Sequence, residues 1–92
     1  MSPATPSNHG RLYVVATPIG HLDDISPRAV ATLKSVGVVA AEDTRVTKKL
    51  MDHYGLATPV VSYHHHSSNA ALNGIIDTLK SGNDVALVTD AG

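Results

Sequence analysis

Apolar and polar positions along this chain come in blocks. Leu12-Tyr13-Val14-Val15-Ala16 is an unbroken apolar run, as a strand buried on both faces would be, and Thr17-Pro18 stops it. Ser26-Pro27 then supplies an N-cap and a first-turn proline. Ala29, Val30 and Leu33 give a helical stripe, and Gly37 stands where a helix end favours positive φ. Val38 to Ala41 is a second apolar run. Asp43 or Thr44 can cap the next helix, whose stripe is Val46, Leu50 and Tyr54 and whose stop is Gly55. Pro59-Val60-Val61-Ser62-Tyr63 reads as a third strand. Ser68 or Asn69 caps a third helix with Leu72, Ile75, Ile76 and Leu79 on one face, Asp77 and Lys80 off it, and Gly82 at its end. Val85-Ala86-Leu87-Val88 is the fourth strand.

Strands and helices alternating at these lengths mean βαβ units, hence an α/β fold with a parallel sheet of about four strands and flanking helices. Three helices cover both faces of such a sheet only partly. Residues 1–10 are polar and Pro-containing and read as a flexible tail, which leaves 11–92 as the α/β domain. The chain stops at Asp90-Ala91-Gly92, just past a buried-type strand, so it is read as the N-terminal part of a longer protein. One expectation follows: Val85–Val88, a strand without a successor, draws a second copy to it.

The composition narrows the picture. A length of 92 residues suits one small domain. With no Phe and no Trp, the core must be aliphatic, helped by three Tyr. The formal net charge of -1 and the lack of a strongly basic arm or face give no compositional reason to expect nucleic-acid binding. Absent cysteine excludes disulfides and Cys-ligated metals. No apolar run approaches the roughly 18 residues of a membrane span, and the first ten residues lack the apolar stretch of a signal peptide. A cytoplasmic protein is the default expectation.

Ligands of open parallel α/β sheets bind beyond the carboxyl ends of the strands. Those ends carry Thr17-Pro18-Ile19-Gly20-His21, Glu42-Asp43-Thr44-Arg45, His64-His65-His66 and Thr89-Asp90-Ala91-Gly92, so polar groups gather on one rim while the strand bodies are apolar. Thr17–Gly20 is a turn that lets backbone approach a ligand, or simply a Pro/Gly turn. The dinucleotide fingerprint G-x-G-x-x-G is absent. Asp43 can cap a helix, with Glu42 favouring its dipole and Arg45 neutralising both, or a carboxylate here can take a proton or hold a ribose, with Arg45 aimed at a phosphate or carboxylate. Of the three His, only His64 and His66 share a strand face, and no third ligand is clearly placed, so a metal is not expected.

At this point the segments stop being generic. Leu12–Ser26 (LYVVATPIGHLDDIS), Ala41–Leu50 (AEDTRVTKKL), Ser62-Tyr63-His64 with His66, and Val85–Gly92 (VALVTDAG) occur in the order typical of one family. The chain resembles the tetrapyrrole methylase superfamily, most closely its 16S ribosomal RNA 2′-O-methyltransferase branch, over nearly all of Leu12–Gly92. It departs from the usual pattern at His21, His65 and Ser67, where Asn, an acidic residue and Asn are usual. The resemblance implies a two-domain, typically dimeric enzyme that binds S-adenosyl-L-methionine in the cleft between its domains, so that this piece, carrying one wall of the cleft, is expected not to methylate RNA by itself. Thr17, Pro18, Ile19 and Gly20 would hold the cofactor together with Asp90, Ala91 and Gly92. Glu42, Asp43 and Arg45 would be the catalytic candidates. The reaction would be methylation of a cytidine ribose in small-subunit ribosomal RNA. An in-line displacement needs chiefly alignment and a base for the 2′-hydroxyl, and Glu42, Asp43 or Asp90 can serve. A methyltransferase for tetrapyrroles or other small molecules, and a non-enzymatic nucleotide-binding domain, are the alternatives.

Overall fold

The computed structural model describes residues 9–18, 24–63 and 69–91, with backbone alone for Pro18, residues 69–71 and residues 90–91. The elements run β1 (Leu12–Pro18), α1 (Pro27–Ser35), β2 (Val38–Ala41), α2 (Thr44–His53), β3 (Val60–Ser62), α3 (Asn69–Lys80) and β4 (Val85–Ala91). The four strands form one parallel sheet in the order β1-β4-β2-β3.

Chain direction fixes the layering. The connections β1→β2 and β2→β3 run the same way across the sheet, so right-handed crossovers put α1 and α2 on one face. The connection β3→β4 runs back and puts α3 on the other. Packing follows suit. Leu33 of α1 and Leu50 and Met51 of α2 join Val15, Val39, Ala41, Ala86 and Val88 in one core. Alternation turns Leu12, Ala40, Val85 and Leu87 to the opposite face, where they line a small apolar pocket with Leu72 and Ile75 of α3. Leu33, Val39 and Val85 are the largest side chains wholly out of solvent, each worth about 1.5–3 kcal/mol of burial.

The α1/α2 face is well covered and the α3 face thinly. Leu72 and Ile76 of the predicted α3 stripe stay exposed, as do Leu12, Val14 and Val61 of the strands. Ile75 and Leu79 are half-buried.

Several expectations change. The strand Val85–Val88 is not a free end: β4 lies between β1 and β2 and is hydrogen-bonded to both, so it has no edge to offer a second copy. Among the described residues the open edges belong to β1 and to the short β3, and Val14 on β1 is 66% exposed. The buried face of α2 is Thr47, Leu50 and Met51, whereas Val46 of the predicted stripe is 48% exposed. The helix is rotated because α2 packs over β2 and β3, and that packing, not hydropathy alone, selects which residues face inward. At the end of α1, Val36 is an extended C-cap, and Gly37 is not among the positive-φ glycines, which among the described residues are Gly55 and Gly82. Gly37 donates its N–H to the Asp84 carbonyl at 2.9 Å, which holds this turn against the start of β4.

The amino-terminal end of the described chain is tied down from Gly10 onward. Gly10 donates to the Leu79 carbonyl at 2.6 Å, and Arg11 donates to Asp84 Oδ1 at 2.7 Å. The Gly10 backbone lies so close to the Asn83 carbonyl that a Cβ there would overlap it. Among the described residues no helix is long and apolar enough to cross a membrane.

Candidate active site at the carboxyl ends of the strands

All four strands being parallel, their carboxyl ends share one rim, and the register shows that this rim is stepped. Ala41, the last residue of β2, pairs with Val88 of β4 and with Ser62 of β3. Beyond Val88, β4 continues through Thr89 and Asp90 to Ala91, paired with Ala16, Thr17 and Pro18 of β1. Three residues at roughly 3.3 Å each make a ledge about 10 Å high. On the β2 side of the ledge the chain leaves the sheet at Glu42 and enters α2, and the Tyr63 N–H closes the β2–β3 ladder on the Ala41 carbonyl at 2.8 Å. This is a crevice at the ends of the strands, the place where α/β sheets take ligands.

Thr17, Pro18, Asp90 and Ala91, read from the sequence as loop, are therefore the last rungs of the β1–β4 ladder. Thr17 is buried, and its Oγ1 donates to the Thr89 carbonyl at 3.3 Å across the two strands. That bond satisfies a hydroxyl that would otherwise be costly to bury. It also braces the two strands that build the ledge.

The Glu42-Asp43-Thr44-Arg45 run turns from strand to helix. Asp43 is the N-cap of α2, and its Oδ1 accepts from the N–H groups of Arg45 (3.1 Å) and Val46 (3.2 Å). This is the capping role foreseen for it, and it commits one carboxylate oxygen to the helix. Glu42, Asp43 and Arg45 are all exposed at the foot of the ledge. The sheet thus brings Pro18, Asp90, Glu42 and Asp43 to one end of the molecule. Ile19, Gly20, His21, His64, His65, His66 and Gly92 lie outside the described residues. Among the described residues no group of His or carboxylate side chains can hold a metal ion.

A groove of about 360 Å³ lies along β1, between its Tyr13–Ala16 stretch and Ser26, Arg28, Ala29 and Thr32 of the α1 start. Sequence reading did not foresee it, because it depends on β1 being an edge strand.

The sequence has counterparts among known proteins. The Ribosomal RNA small subunit methyltransferase I of Bacillus subtilis is 56% identical over 86 residues, which is 94% of this chain and 30% of that protein. The proteins of the same name from Pseudomonas aeruginosa and Synechocystis are 52% and 51% identical, each over 90% of this chain. The chain thus spans about 30% of the length of the curated relatives it matches. The family model described as Tetrapyrrole (Corrin/Porphyrin) Methylases matches residues 11–92, the whole of the α/β unit above. The chain belongs to the tetrapyrrole (corrin/porphyrin) methylase family.

Proposed function

We propose that this chain is the N-terminal part of an S-adenosyl-L-methionine-dependent methyltransferase that methylates the ribose 2′-hydroxyl of a cytidine in 16S ribosomal RNA. The observation that carries the proposal is its identity of 51–56% to proteins named Ribosomal RNA small subunit methyltransferase I. The stepped rim supports the same reading, because it puts carboxylates and open strand ends where a ligand of this fold binds. The protein would work in the cytoplasm, as a homodimer, on the small ribosomal subunit.

The residues fit the cofactor by charge. Its sulfonium and ammonium groups are cationic, and Glu42 and Asp43 are exposed carboxylates at the foot of the ledge, with Asp90 on the rung beside Thr17. Thr17, Pro18, Ile19 and Gly20 would hold it from one side, and Asp90, Ala91 and Gly92 from the other. When bound, S-adenosyl-L-methionine supplies an activated methyl group. The chain's own part is to align the 2′-hydroxyl and accept its proton. Glu42, Asp43 or Asp90 would accept the proton, Asp43 with one oxygen already committed to the cap of α2. Arg45 would meet a substrate phosphate.

The test is methyl transfer from labelled S-adenosyl-L-methionine by the full-length protein, offered small ribosomal subunits and porphyrinoid substrates side by side. Label at a cytidine 2′-oxygen of 16S ribosomal RNA is expected. Label in the porphyrinoid alone would move the protein to the small-molecule side of the family, and binding of nucleotides without any transfer would make it a non-enzymatic domain.

A further inference from the structure

We propose that the outward face of α2, carrying Arg45, Lys48 and Lys49, is a phosphate-tracking surface that holds the RNA substrate against the rim. The inference rests on the ribosomal RNA reading above and names the part of the protein that grips the RNA backbone.

The sequence holds only seven Lys and Arg, and three of them fall within this one helix. Their spacing of i, i+3 and i+4 puts them on one face. That face is opposite Thr47, Leu50 and Met51, which α2 buries against the sheet, and all three cations are exposed. The helix starts at the rim, so Arg45 stands beside the ledge. Lys48 and Lys49 follow about 5–6 Å further along the axis. A nucleic-acid backbone leaving the crevice would run along this line.

Two further observations separate this face from an ordinary solvated one. Among the described residues, no hydrogen bond or ion pair holds the side chains of Arg45, Lys48 or Lys49. Asp52 shares the face, one turn after Lys48, yet the two form no ion pair. In addition, the charges sit badly for helix stability. Arg45 is in the first turn and Asp52 in the last, both against the macrodipole, and Lys before Asp at i, i+4 is the poorer order. Arg45, placed against the helix dipole and left without a partner, suits an anion from outside, and with Lys48 and Lys49 it makes a row of cations that outnumbers Asp52 on this face and suits phosphates. The rim acids do not oppose this. Glu42 and Asp43 precede the helix at the crevice, while the lysines face outward one turn away.

The decisive experiment is a salt titration of small-subunit ribosomal RNA binding by the full-length protein and its Lys48→Gln/Lys49→Gln variant. Two phosphate contacts on single-stranded RNA contribute a slope of about 1.4 in log affinity against log salt. The variant should therefore bind about tenfold more weakly at about 0.15 M salt, with a slope shallower by about that amount. Its melting temperature should stay within about 3 °C of the parent, because both positions are exposed. Lys48→Arg/Lys49→Arg should restore the affinity. Unchanged affinity and slope in the Gln variant, or loss of binding that tracks a fall in melting temperature and is not rescued by Arg, would overturn the proposal. If the parent protein methylates small subunits while the Gln variant binds as it does, this inference alone falls. If the parent neither binds nor methylates, the reading beneath it falls as well.

Discussion

Asp43 has two roles that substitution can separate. It caps α2 through Oδ1, which accepts from Arg45 N–H at 3.1 Å and Val46 N–H at 3.2 Å, and it offers a carboxylate at the foot of the ledge. Asp43→Ala removes both. Loss of an N-cap costs about 0.5–2 kcal/mol, and because Asp43 is exposed the middle of that range, about 1 kcal/mol, applies. In a domain of this size that is a fall of about 4–8 °C in melting temperature. Asp43→Asn keeps the capping oxygen and removes the charge, so it should lose only the dipole contribution, about 0.3–0.5 kcal/mol at an exposed site. Thermal unfolding of the two variants therefore measures the cap. Methyl transfer to small ribosomal subunits measures the carboxylate. The expected pattern is Ala clearly destabilised and Asn nearly parental in stability, with a loss of activity in Asn that reports the carboxylate alone. An Ala variant as stable as the parent would refute the capping account. A stable Asn variant with parental activity would remove Asp43 from the proton acceptors.

Gly10→Ala should destabilise by about 2 kcal/mol in urea unfolding, because its Cβ would overlap the Asn83 carbonyl; a neutral result would mean that this junction yields freely. Leu33→Ala should cost about 2–5 kcal/mol, as Leu33 is 0% exposed at the centre of the α1/α2 face, and a loss below about 1 kcal/mol would put the core elsewhere. Any self-association of the 92-residue chain should run through β1 and not β4, so Val14→Lys should shift sedimentation profiles toward monomer; an unchanged profile would release β1 from that role.

The elements were legible because their boundaries are local. Ser26-Pro27, Asp43, Gly55 and Gly82 announce caps and stops through the backbone geometry they prefer, and each stands where the structure starts or ends a helix. The strand ends were not legible. Thr17-Pro18 and Thr89-Asp90-Ala91 carry turn-like residues, yet the β1–β4 ladder runs through them, because backbone pairing depends on the neighbouring strand and not on local hydropathy. For the same reason the order β1-β4-β2-β3, with the last strand in the interior, cannot be read from the chain. The face of α2 was misassigned because Thr47 counts as polar in a hydropathy pattern although its side chain is buried. At the rim, the capping role of Asp43 was legible from its place before a helix. The step in the rim was not, since it arises from β2 being three residues shorter than the β4 segment that runs past it.

The central claim is that the ligand site lies at the carboxyl ends of the strands, on the ledge above α2. Hydrogen exchange of the full-length protein, with and without S-adenosyl-L-methionine, tests it most directly. The account predicts added protection in peptides spanning Ala16–Pro18, Glu42–Arg45 and Thr89–Ala91, and none around Gly37–Val39 and Asn83–Val85 at the opposite end of the sheet. Protection confined to that opposite end, with the rim exchanging as before, would contradict it.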